Sequence, residues 1–125
     1  MIPNQEPLVD APPVRRFLDP AYRPQAETLG ELRAKIDAID SQVVELLASR
    51  ALCVRDATRF KGDEFAVAAP ARQAAVFARV RELATPHADA FPGLADVVES
   101  TYRALVAGFV AAEGRLFSET EPVTP

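Results

Sequence analysis

The sequence predicts an all-α protein, and three observations carry that expectation. Apolar residues recur at spacings of three and four along three separate stretches, the period of one helix face. Helix-start signals head the first two: "TLGE" (28–31) has the capping-box pattern, and Pro70 suits a first helical turn. Nothing between these signals reads as a strand.

The first stripe runs Leu32, Ile36, Ile39, Val43, Leu46, Leu47, then Val54, Ala57 and Phe60. Neither proline nor glycine interrupts it from Glu31 to Lys61, which predicts a helix roughly 45 Å long. Pro70 opens a second helix with Val76, Phe77, Val80 and Leu83 inward. "TPHADAFPG" (85–93) is a connector. A third helix spans about Leu94 to Phe117, with Val97, Val98, Thr101, Leu105, Phe109, Ala112 and Leu116 inward. Residues 1–27 hold six of the eleven prolines and predict an extended or disordered arm. The helical domain then covers 28–118, and 119–125 form a disordered tail. The first helix is longer than the body two shorter helices can build around it. Part of its stripe would stay wet in a monomer, so a homodimer pairing the long helices is predicted.

Bulk properties narrow the function classes. A chain of 125 residues makes one domain with a modest core. Its net charge of −4 offers no basic field for nucleic acid or an anionic membrane. The longest apolar run, "ALVAGFVAA" (104–112), is too short to span a bilayer, and no basic-then-apolar leader is present. A cytoplasmic protein is expected. Cys53, the single cysteine, reads as a buried small hydrophobe, and no metal-ligand or phosphate-loop spacing implies a metal or cofactor. His87, in the connector, reads as solvated.

The informative residues are charges set among apolar neighbours. Arg50 lies on the first stripe with Leu46, Leu47, Cys53 and Val54 three and four positions away. Arg72 has Ala68, Ala69, Ala75 and Val76 at those offsets; Glu113 has Phe109, Val110, Leu116 and Phe117. Such groups are costly unless something distant meets them. Bland readings exist for each: an Arg50–Glu113 buried bridge, Arg72 reaching solvent, Lys61 as a surface lysine beside Asp63 and Glu64, and Arg33 paired with Asp37. Continued as a helix, the chain returns Lys61 to nearly the face of Arg50, while Arg33 lies about 100° away, off to the side, where in a paired helix it could serve the partner's site rather than its own. Arginine and lysine converging on a dry pocket would bind an anion with more than one carboxylate or phosphate.

In "LRAKIDAIDSQVVELLASR", in "RFK-x-x-E" and in the following "AP-x-R", residues 29–117 resemble the all-helical chorismate mutase family. The similarity is greater to its isochorismate pyruvate lyase branch. The resemblance implies a three-helix protomer in an intertwined homodimer and a cofactor-free pericyclic reaction of a dicarboxylate. It implies that Arg33 reaches the other subunit's site and that Arg50 clamps a substrate carboxylate. Lys61 would meet the ether oxygen from a loop that closes as a lid, and Arg72 would complete carboxylate binding. Glu113 stands where the family carries a glutamine, or in some members a glutamate, facing the same oxygen. A carboxylate there repels developing charge and a protonated acid donates to it, so activity is expected to fall with rising pH as Glu113 ionises.

Ordinary mutases of this family carry acids that bind the C4 hydroxyl of chorismate, at positions corresponding to Ala69 and Gln73. Their loss disfavours chorismate and suits isochorismate, whose ring hydroxyl is at C2. The expectation is therefore elimination of pyruvate to give salicylate, with a weaker rearrangement of chorismate to prephenate. Gln73 can still hydrogen-bond a C4 hydroxyl, so chorismate, or an amino-substituted chorismate, stays open as the main substrate. A non-catalytic helical regulatory dimer is the reading from a different class.

Overall fold

The computed structural model describes residues 4–124. Its helices are α1 (Leu29–Ala57), α2 (Glu64–Ala68), α3 (Pro70–Ala84) and α4 (Leu94–Ser118), with 3₁₀ turns at Thr58–Phe60 and Thr85–His87. No strand occurs among the described residues. Three long helices match the all-α expectation, and no helix among the described residues is long and apolar enough to cross a membrane.

The chain divides into two compact units, Met1–Ala48 and Ser49–Pro125. In the first, Thr28 caps α1: its Oγ1 accepts from Glu31 N at 3.1 Å, while Glu31 Oε2 accepts from Glu27 N at 3.3 Å. This is the capping box read from "TLGE", with the glutamate reaching one residue further back. Gly30 N donates to Val9 O at 3.0 Å, and Lys35 Nζ donates to Gln25 O, so two backbone carbonyls of the proline-rich segment are held by α1. Phe17 and Tyr22 pack ring against ring across a turn in which Asp19 Oδ1 accepts from Ala21 N. Most of the α1 stripe in this unit is exposed: Ile36, Ile39, Val43 and Leu46 each show 45% or more of their surface.

The second unit holds the core. Val67 of α2, Val80 and Ala84 of α3 and Val106 of α4 are its buried apolar residues. Charged side chains also join α3 to α4. Arg81 reaches Asp96 Oδ1 at 2.8 Å and Glu99 Oε1 at 3.2 Å, and Arg103 Nε donates to Glu99 Oε2 at 2.9 Å. The hydrogen bond from Arg103, then that from Arg81, lowers the Glu99 pKa below its ordinary value. Arg103 also lies over the Phe77 ring, 4.5 Å from its centroid.

Several expectations need correction. The first helix stops at Ala57 rather than continuing to Lys61, because the chain tightens into the 3₁₀ turn and leaves it extended at Lys61. Phe60 is consequently exposed rather than inward. The segment between the first two long helices contains α2: Asp63 Oδ1 accepts from Ala66 N at 2.8 Å and caps it. Leu83 and Val97 face outward, and Cys53 is exposed rather than buried. Ala84 and Val106, not among the residues expected inward, are buried.

Candidate active site

One hollow in the second unit collects the chemistry. It has a volume of about 290 Å³, near the low end for small-ligand pockets. Arg50, Cys53, Val54 and Ala57 reach it from α1, Lys61 from the extended residue after the 3₁₀ turn, and Val67, Ala68 and Ala69 from α2 and its cap. Arg72, Gln73 and Val76 of α3, with Val106, Phe109, Val110 and Glu113 of α4, complete the wall. Lys61 therefore arrives by a different route from the one its helical spacing suggested.

Glu113 is the most deeply set charge, 5% exposed. Its Oε2 lies 3.3 Å from Lys61 Nζ and 3.2 Å from Thr58 Oγ1. The expected alternative, a bridge from Glu113 to Arg50, gives way to this pairing with Lys61. A buried carboxylate is costly alone, and the ammonium beside it offsets that cost. Thr58 itself, 3% exposed, lies 3.0 Å from Val54 O, so one hydroxyl faces two acceptors and its single proton can serve one at a time. Thr58 was missed in the sequence. Its signal was the four-residue step from Val54, which puts a small hydroxyl on the apolar stripe.

Arg50 is held differently. Its guanidinium lies over the Phe109 ring, 4.8 Å from the centroid. Arg72 stands in the first turn of α3, at the end of a helix whose exposed backbone N–H groups disfavour cations and favour anions. It is exposed and lines the hollow, so the bland reading and the functional one describe the same placement. Gln73 turns its amide nitrogen to the Ala68 carbonyl, which can only accept. The oxygen of that amide is the end left for another partner. Ala69 adopts left-handed backbone (φ 44°), unusual for alanine, at the junction where α2 ends and Pro70 begins α3. Three cations against one carboxylate leave the lining with two net positive charges.

Residues 32–114 match the family model for chorismate mutase type II. The chain belongs to that family. No curated protein matches the chain. In this chorismate mutase family member every residue that lines the hollow falls inside the matched span. Of the site residues expected from sequence, Arg50, Lys61, Arg72, Gln73 and Glu113 come together. Arg33 lies in the first unit, exposed on α1. The family's enzymes act on chorismate, a dicarboxylate, and a compact hollow with two net positive charges suits such a molecule.

Proposed function

We propose that this hollow catalyses elimination of pyruvate from isochorismate to give salicylate, with a weaker rearrangement of chorismate to prephenate. We further propose that the chain works as an intertwined homodimer in which Arg33 serves the partner's site. The lyase reading rests on the turn between α2 and α3. Where an ordinary mutase would present acids to a C4 hydroxyl, this wall has the methyl group of Ala69 and the neutral amide of Gln73.

Arg50 and Arg72 would grip the two carboxylates and hold the ring and its side chain in the reactive conformer, which is most of what a pericyclic reaction requires. Lys61 would meet the ether oxygen, where negative charge grows as the C–O bond breaks. The lysine must then share its charge between that oxygen and Glu113. Glu113 in its protonated form would add a second donor. The segment from Lys61 to Arg72, carrying α2, would act as the lid that excludes water during the reaction. No step needs a nucleophile, metal or cofactor.

The test is direct. Purified protein is incubated separately with isochorismate and chorismate, and salicylate, pyruvate and prephenate are quantified. Higher kcat/KM for salicylate formation supports the lyase reading. Prephenate as the dominant product moves the assignment to chorismate mutase, and the absence of every product rejects catalysis in favour of a regulatory dimer.

A further inference from the structure

The hollow holds its two inner cations by different chemistry, and both holders come from one face of α4. Phe109 and Glu113 are four residues apart, so they stand one above the other on that helix. Glu113 receives Lys61 as an ion pair at 3.3 Å; Phe109 receives Arg50 on its ring at 4.8 Å. We propose that Phe109 is a positioning residue for substrate binding, which acts by holding the Arg50 guanidinium in place without neutralising it.

The physical distinction is in what each holder consumes. A carboxylate takes the hydrogen-bond donors of its cation and cancels the charge, so a substrate anion must displace it. An aromatic face attracts the cation through its quadrupole and takes no N–H group. A guanidinium has five such groups in one plane, arranged to meet a carboxylate in bidentate fashion. Held on a ring, it keeps both the donors and the charge for an incoming anion. The arginine side chain has long rotamer freedom, and losing it beforehand reduces what binding must pay in order. Arg50 is thus the prepared anchor of the hollow, while Lys61 has to exchange or share its partner.

This inference rests on the reading of the hollow as a dicarboxylate site, and the experiment separates the two. Chorismate and isochorismate are each titrated by NMR into the wild type. Chorismate is also titrated into Phe109→Leu, Phe109→Tyr, Arg50→Ala and the Phe109→Leu/Arg50→Ala double variant, and kcat is measured for the reaction the wild type performs. Phe109→Leu is expected to weaken chorismate binding about 3- to 30-fold, the span of a cation–π contact from exposed to desolvated, with kcat within about threefold. Phe109→Tyr, which keeps the ring, stays within about twofold of the wild type. In the Arg50→Ala background the Phe109→Leu change weakens binding by less than about twofold, because the group it acts through is gone. Should circular dichroism show Phe109→Leu to be unfolded, Phe109→Met supplies the same comparison with a chain of similar bulk. Equal loss in both backgrounds overturns the positioning role, as does a fall in kcat at unchanged affinity. Wild-type protein that binds neither chorismate nor isochorismate overturns the dicarboxylate reading and this inference with it; turnover by the wild type with unaffected Phe109→Leu binding overturns this inference alone.

Discussion

Lys61 and Glu113, 3.3 Å apart, set opposite demands on one another. The ion pair makes the buried carboxylate tolerable, yet it draws on the positive charge that a breaking ether bond needs. Replacing the acid by its amide removes that conflict and leaves a neutral donor in place. Glu113→Gln is therefore expected to raise kcat/KM at neutral pH by about tenfold, equivalent to about 1.4 kcal/mol at the transition state. Steady-state rates at neutral pH check the outcome, and a variant no faster than the wild type shows that the acid does not oppose the lysine. At this scale the sequence was informative because charge among apolar neighbours is a conspicuous anomaly. Arg50 and Glu113 were visible for that reason. Thr58 was not, since a threonine on an apolar face carries no charge and its partner is fifty-five positions away.

Helix starts were legible and helix ends less so. Thr28 and Pro70 are chemical signals that stop one backbone state and begin another, whereas the third start carried no signal that was read, and the structure shows Gly93 at φ 87° before Leu94. The end of α1 has no such marker. Apolar spacing carried the expectation past Ala57, although the backbone had already tightened. The short α2 was hidden by its length, five residues being too few to show a helical period, with Asp63 as the one cue to its start. Between α3 and α4 the ion pairs make a prediction of their own. The Glu99 carboxyl is held below its ordinary value of 4.5, first by the bond from Arg103. A depressed acid stabilises the fold above its unfolded pKa, and that contribution fades as pH falls through the folded value. Denaturant midpoints should therefore drop as pH is lowered below about 4.5, with a smaller drop in Glu99→Gln. Parallel urea titrations of the two proteins decide it, and equal pH sensitivity would place the effect in other carboxylates.

For the whole molecule, the exposed row of Ile36, Ile39, Val43 and Leu46 is more apolar surface than a lone helix keeps in water without a partner. Pairing with a second copy is the expected outcome, so light scattering should give twice the 13.5 kDa chain mass. Ile39→Glu, which places a charge in that row, should shift the species to monomer and abolish turnover if Arg33 completes the neighbouring site. A monomeric wild type that retains full activity would refute the shared-site arrangement. The all-helical class was readable because period and caps agreed along the chain. Which apolar residues are interior was less readable, since Leu83 and Val97 satisfy the same spacing as their buried neighbours while facing outward.

The left-handed backbone at Ala69 has an evolutionary consequence. Among ordinary residues, aspartate and asparagine occupy that conformation more readily than alanine. A mutation introducing an acid there meets a main chain already shaped to receive it. The backbone at that point therefore sets no barrier to exchanging the methyl group for an acid, and such a change alters the chemistry of the wall alone.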